Sequence, residues 1–390
     1  METLYKEIPD EIEITKQIDE ISNGLGSKLP EPNSQLEYVI IIPAKDEAEG
    51  ITQTLTAIAN QKNKDGSDFN KSLFEILLLC HNCNDETFET CQEFARNKSN
   101  LNLQILELHS EVANTVGSAR RILMNIASKR IQKTEGFIIS TDADTLADKY
   151  WLFYLTSYIT SNYGLVCGMI TVKPKGLTEQ AKKYLKAKDL YLMLRSELES
   201  SIIPDPYDPW PRHSYQWGPN LAIKKSVYNK IGGIRPMSFL EDVDLYNRIA
   251  SLDYKIRHCI KSKVTTSTRI EPRCEEGFGA ELRVWSEMEG VEYNVEGLHK
   301  LLERFNIYKM IFELYKNPTP ALVEDLSNAA RTDHFGLSEM RKQAANPKAM
   351  IVQMDKHLFY SEEFQEQHPN TDVFEACEEI DQHLHTFSPT

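Results

Sequence analysis

The sequence predicts an α/β fold: a mostly parallel central sheet flanked by helices, followed by a helical C-terminal extension. Three observations carry that expectation. Short, nearly continuous apolar runs recur up to about residue 172. They alternate with segments whose apolar residues fall at helical spacing. From about residue 280 only helical patterns remain. A strand buried on both faces loses the in–out alternation of a half-exposed one, so unbroken apolar runs between amphipathic helices indicate a sheet covered on both sides.

Each element follows in order. Residues 1–36 are acid-rich, run to Pro30 and Pro32, and predict an N-terminal helical arm. "YVIII" (38–42) reads as a buried strand closed by Pro43, and "DEAEGITQTLTAIANQ" as the helix after it. "FEILLLC" (74–80) and "DETFETCQEFARN" are the second strand and helix. "LNLQILEL" and "GSARRILMNIASKRI" are the third pair. "GFIIS" is a fourth strand, "YWLFYLTSYIT" a helix and "YGLVCGMITV" another strand. A basic helix begins near Lys173, and "IIPDPYDPWPRHSYQW" is too proline-rich for a helix or an inner strand. The expected division is an arm at 1–36, an α/β domain at 37–279 and the helical extension at 280–390. No internal repeat or low-complexity tract interrupts it.

Composition excludes several classes. The 44 basic and 58 acidic residues leave a net charge of -14, which argues against a general nucleic-acid binder. No apolar run reaches the roughly 18 residues of a spanning helix. The first residues do not read as a signal peptide. The seven scattered cysteines suggest reduced thiols. The expected location is therefore cytoplasmic. Cys80 and Cys83 form a lone C-x-x-C, read as ordinary half-buried cysteines.

The chemistry concentrates at "FIISTDADT" (137–145), where a buried strand runs into Asp142 and Asp144. Two carboxylates that close repel and resist desolvation. In open α/β sheets ligands bind beyond the carboxyl ends of strands. A divalent cation there, Mg²⁺ or Mn²⁺, neutralises both acids and takes the hard oxygen ligands it needs.

The ordered set "VIIIPAKDEAEGI", "HNCNDET", "GSARR", "STDAD", "WGPNLAIKKSVYNKIGGI" and "FLEDVDLYNRI" resembles the soluble family-2 glycosyltransferases of the GT-A fold, over roughly 38–270. The resemblance implies transfer of a sugar from a nucleotide-sugar donor to an acceptor hydroxyl, normally with inversion. It implies that Pro43, Ala44 and Glu47 lie against the nucleotide. His81 stands where family members usually carry an Asp that contacts the base, so His81 or Asn82 takes over that contact and a uridine donor is in doubt. Gly117 allows close backbone approach, and Arg120 meets the diphosphate. Asp142 and Asp144 hold the metal. Trp217, Gly218 and Asn220 face the sugar and acceptor. Asp242 is the general base, with Glu241 orienting it. Arg269 and Arg273 clamp the diphosphate or an anionic acceptor, and no His stands where relatives place a third metal ligand.

For each residue a plainer reading stands beside this one. Lys45, Asp46 and Glu47 suit the first turn of a helix. Asp85 suits a helix cap. Trp217 suits a core. The acceptor is a small molecule, a glycan or a lipid-linked sugar. A peripheral membrane contact through the basic helix and self-association are both open on the sequence. A catalytically inactive binding scaffold of the same fold is the alternative from another class. A sugar-nucleotidyltransferase is disfavoured, because "IIPAKDEAEG" lacks a Gly-rich phosphate loop.

Overall fold

The computed structural model describes residues 11–98, 100–133, 135–158, 162–268, 277–287, 290 and 292–387. In chain order it contains α1 (Glu11–Gly26), β1 (Tyr38–Ala44), α2 (Ile51–Ala59), β2 (Phe74–His81), α3 (Thr87–Asn97), β3 (Leu103–Leu108), α4 (Val116–Arg130), β4 (Phe137–Ser140) and β5 (Leu146–Ala147). Then come α5 (Trp151–Thr156), β6 (Tyr163–Val172), α6 (Glu179–Ile202), β7 (Leu221–Lys224), α7 (Lys225–Lys230), α8 (Glu241–Ser251) and β8 (Lys255–Thr266). The C-terminal part holds α9 (Phe278–Glu287), β9 (Asn294–Glu296), α10 (Leu298–Lys316), α11 (Pro320–Ala329), α12 (His334–Gln343), α13 (Pro347–Tyr360), α14 (Glu362–Gln367), β10 (Asn370–Asp372) and α15 (Val373–Phe387).

The main sheet has eight strands in the order β3-β2-β1-β4-β7-β6-β8-β5. The pairs β3–β2, β2–β1, β1–β4 and β6–β8 are parallel. Strand β7 is antiparallel to both neighbours, and β5 is antiparallel to β8. Every residue of β1 and β2 is buried, as unbroken apolar runs require. Each fully buried Ile or Leu there contributes about 1.5–3 kcal/mol. Strand β1 runs on through Pro43, where the sequence reading closed it. Its last pair with β4 is Ile41↔Ser140, so the missing N–H of Pro43 falls beyond that partner.

The described residues fall into two compact units. The first draws on 1–173, 215–249 and 255–269, and holds the sheet. The arm α1 belongs to it: Ile18 is fully buried, and Asp19 receives Arg121 Nε and Nη2 at 2.8 and 3.0 Å. The second unit draws on 174–214, 250–254 and 270–390. Its core joins Leu194 and Leu198 of α6 with Leu301, Phe305, Met350, Met354, Leu358, Phe364 and Ile380. The basic helix is thus half core. Three of its four lysines are also engaged: Lys188 pairs with Glu281, Lys182 with Glu179, and Lys183 lies 4.4 Å from the Phe374 ring centre. Among the described residues no helix is long and apolar enough to cross a membrane.

Candidate active site

The parallel register brings the ends of β1, β2 and β4 to one edge of the sheet, with Ala44 opposite Cys80 and Ile41 opposite Ser140. The two loops leaving β1 and β2 are tied together. Asp46 accepts the Asn84 N–H at 2.6 Å, and Asp85 accepts the Ala48 N–H at 3.0 Å. Glu47 N–H donates to Thr87 Oγ1 at 2.7 Å, and Asp85 also accepts the Thr87 N–H. Asp85 therefore does more than start α3. Asp46, Cys83 and Asp85 bring potential ligand atoms within 4.8 Å of one another. Backbone N–H groups already occupy both acids. The hydrogen bond with Cys80, and after it burial, push the Cys83 thiol well above its ordinary range. The trio is a loop lock, and both cysteines of the C-x-x-C are free thiols.

Asn82 has φ 49° and exchanges two hydrogen bonds with Ser110, donating to its O at 3.0 Å and accepting its N–H at 2.8 Å. Its side chain braces the end of β3. His81, the last residue of β2, is buried, and its Nδ1 finds no partner among the described residues. Burial, and after it the Lys45 charge, hold this imidazole down at about 4. The unfolded chain takes up the same proton near pH ~6.5. The contribution to stability is therefore full above pH ~6.5 and is lost as pH falls toward ~4, a total of about 3 kcal/mol. His81→Gln should flatten the stability curve between pH ~6.5 and ~4 by up to that amount. Denaturant titrations across this window test it, and an unchanged slope would show that His81 ionises freely in the folded chain.

The acid pair sits in a turn closed by the Thr145 N–H on the Asp142 carbonyl, at 3.2 Å. Ala143 is buried and its carbonyl accepts Thr54 Oγ1 at 2.8 Å, which leaves the half-buried Asp142 and Asp144 side chains flanking it. Arg120 of α4 supplies the positive charge. Its Nη2 donates to Asp142 Oδ1 at 2.5 Å, and its Nη1 is paired with Glu241. Burial works against the Arg120 charge, but Asp142, Glu241 and Asp242 outweigh it and hold the group ionised. Asp242 accepts the Gly218 N–H at 2.6 Å and its own neighbour's, Val243, at 2.8 Å. Leu240, just before α8, is held at φ 61°, a costly conformation for a branched side chain. Burial pushes both Glu241 and Asp242 up against the pull of Arg120. Three carboxylates thus surround one guanidinium, and Asp144 adds a fourth acid nearby in sequence. That donor set is rich in hard oxygens, which suits a divalent cation.

Several expected site residues make contacts within the protein. Arg120, expected at the diphosphate, is paired here with Asp142 and Glu241. Gly117 does permit a close approach, but from the protein: a Cβ there would lie 2.2 Å from Met237 O. Asn220 is buried. It accepts Trp151 Nε1 at 2.8 Å and donates to the carbonyls of Met169 and Ser262 at 2.9 and 3.1 Å. Both amide hydrogens and one acceptor site of its Oδ1 are engaged within the protein. Gly218 lies against Arg120, with a Cβ there 2.3 Å from Cζ. Trp217 is half-buried and stacks on Tyr215, ring centres 4.8 Å apart, a partner the sequence reading did not name. Pro43 and Ala44 are buried strand residues, and Ala44 O accepts Cys83 Sγ at 3.5 Å. Arg269 and Arg273 lie outside the described residues.

The sequence model of glycosyl transferase family 2 matches residues 39–232, from β1 to just beyond α7. The chain belongs to this family. The match takes in Asp142 and Asp144 and stops short of Glu241 and Asp242, which reach this family 2 domain through Arg120 and Gly218. The probable glycosyltransferase YdaM of Bacillus subtilis (strain 168) is 23% identical over 228 residues, covering 56% of this chain and 47% of that protein. The chain thus spans about half the length of that relative. Among solved structures, the mannosyltransferase PcManGT from Pyrobaculum calidifontis, in complex with GDP-Man and Mn²⁺, is 13% identical with a TM-score of 0.43, over 97% of this chain and 96% of that one. S. aureus TarS 1-349 in complex with UDP-GlcNAc is 13% identical with a TM-score of 0.43, over 90% and 92%.

Proposed function

We propose that this family 2 chain transfers a sugar from a nucleotide-sugar donor to an acceptor hydroxyl, in a metal-dependent reaction with inversion. The observation that carries the reading is the cluster of Asp142, Glu241 and Asp242 around Arg120, at the sheet edge where α/β folds place ligands. Asp144 and the second oxygen of Asp142 would hold Mg²⁺ or Mn²⁺. When bound, such an ion stabilises the departing diphosphate.

The chain's own residues do the rest. Asp242 is half-buried, so its carboxylate reaches the site while its backbone partners fix its direction. Burial raises its affinity for a proton, which suits a base. Asp242 takes the proton of the acceptor hydroxyl as that oxygen attacks the anomeric carbon. The nucleoside diphosphate leaves from the opposite face, and a single displacement inverts the centre. The half-buried Trp217, stacked on Tyr215, offers an apolar surface to a sugar.

A thermal-shift screen of nucleoside diphosphates and nucleotide sugars, with and without Mn²⁺, tests this directly. The expected result is a metal-dependent rise in melting temperature with one donor class, followed by turnover of that donor. Binding without turnover against a broad acceptor panel would favour the scaffold reading. The base is a separate question. The neutral His81 offers no charge to a uracil N–H, so uridine diphosphate should not bind exclusively. His81→Asp should raise the preference for uridine about tenfold, the worth of one charge-assisted hydrogen bond. An unchanged ranking of uridine, guanosine, thymidine and cytidine diphosphates would remove this position as the reader.

A further inference from the structure

We infer that Arg120 is a positioning residue that competes with the metal for Asp142 while holding the base, so that one guanidinium couples the donor side of the site to the acceptor side. The inference rests on the sugar-transfer reading above. Its ground is a chain of contacts. Arg120 Nη2 holds Asp142 Oδ1, and Nη1 holds Glu241. The guanidinium lies against Gly218, which has no side chain to keep it off, and the Gly218 N–H holds Asp242. A guanidinium is a rigid planar fork, so the positions of its two carboxylates are not independent. Glu241 and Asp242 are consecutive on α8, so fixing one constrains the other.

The burial of Arg120 strengthens the case. Only 4% of it is exposed, and Nε finds no partner among the described residues. A buried arginine held on two sides by acids is poorly placed to leave them for a phosphate. It is well placed to set how much of Asp142 is available. One Asp142 oxygen is engaged by Arg120, and every bit of density that Arg120 draws is lost to a cation on the same carboxylate. Weakening Arg120 must therefore raise the attraction of the acid cluster for a divalent ion, and strengthening its hold on Asp142 must lower it.

This gives two substitutions opposite effects on metal binding and the same effect on turnover. Arg120→Met removes the competing charge. Metal-dependent nucleoside diphosphate binding should tighten by about threefold or more, while kcat falls by at least about tenfold because Glu241 and Asp242 lose their anchor. Glu241→Gln removes the second claim on Arg120. The guanidinium then turns its full charge on Asp142, so the same binding should weaken by about threefold, and kcat should again fall. The measurement is calorimetric titration of nucleoside diphosphate at several Mn²⁺ concentrations, with kcat and KM for both variants and a melting curve for each. If Arg120 instead touched the diphosphate, Arg120→Met would weaken binding in the presence and absence of metal. If its role were only structural, both variants would shift binding the same way. Either result overturns the inference. Should Arg120→Met fail to fold, the Glu241→Gln sign alone decides, since tightening or no change there contradicts the competition. Wild-type protein that binds no metal–nucleotide pair at all would overturn the sugar-transfer reading itself, a distinct outcome seen before any variant is made.

Discussion

Asp144→Asn is expected to abolish the metal-dependent part of nucleoside diphosphate binding and to leave the fold intact. Asp144 is half-buried in the turn after β4, and the core of that turn is Ala143, whose carbonyl is held by Thr54. The substitution keeps the side-chain shape and one acceptor oxygen but removes a full negative charge. Asp142 alone cannot replace it, because one of its oxygens is committed to Arg120. A neutral amide is a poor ligand for a hard divalent ion that prefers carboxylate oxygens. A loss of at least about 100-fold in Mn²⁺-dependent affinity is expected, about 3 kcal/mol. Unfolding stability should change by about 1 kcal/mol at most, the worth of a hydrogen bond, since asparagine keeps one acceptor oxygen. Calorimetric titration with and without Mn²⁺, paired with a denaturant melt, separates the two quantities. Metal-dependent affinity that survives in the variant would remove Asp144 as a ligand.

The contrast between Asp144 and Asn220 shows what the sequence does and does not disclose. Strands β1, β2 and β4 are legible because burial on both faces leaves few polar positions, and their common edge follows from the parallel arrangement. The acid pair at the end of β4 was legible for the same reason: charge at the mouth of a buried strand is conspicuous. The contacts of Asn220 are not legible, because its partners, Trp151, Met169 and Ser262, come from three distant segments and leave no local pattern. Arg120 is the same case, since the acid that completes its environment is Glu241, far along the chain. Strand β7 is only four residues long and follows a proline, too short to show a period, so its antiparallel insertion beside β4 was not anticipated. The helix α6 was placed by sequence with the α/β domain, because a helix carries no mark of which core its apolar face will join. Its Leu194 and Leu198 pack with the C-terminal helices. In that region the short β9–β10 pair was also unforeseen, three residues on each side being below what alternation can reveal. Local periodicity was readable in the sequence, whereas long-range pairing was not.

Asp242→Asn should lower sugar transfer by about 10² to 10⁴-fold, the usual contribution of a positioned general base, or roughly 3 to 5 kcal/mol of barrier at about 1.36 kcal/mol per decade. Asp242 is the second residue of α8, two positions after the strained Leu240, and its oxygens are directed by the Gly218 and Val243 N–H groups. Asparagine keeps one oxygen for the Gly218 N–H and gives up only the contact with the Val243 N–H inside the first turn of α8, so the tie to the Gly218 loop is retained. It cannot take up a proton. Donor and metal binding should therefore persist, with the loss confined to kcat. The internal control lies two residues on. Asp244 accepts Arg248 Nε at 2.8 Å and Arg235 Nη1 at 3.3 Å, and so serves to fix α8. Asp244→Asn removes charge from the same helix turn without touching the acceptor, and its effect on turnover should stay within about threefold, or ~0.7 kcal/mol. The pair of variants separates a missing base from a disturbed helix. Equal losses in both would assign the effect to α8 as a whole. Near-normal turnover in Asp242→Asn would remove it as the base and direct attention to a retaining route, in which no proton acceptor is needed at this position.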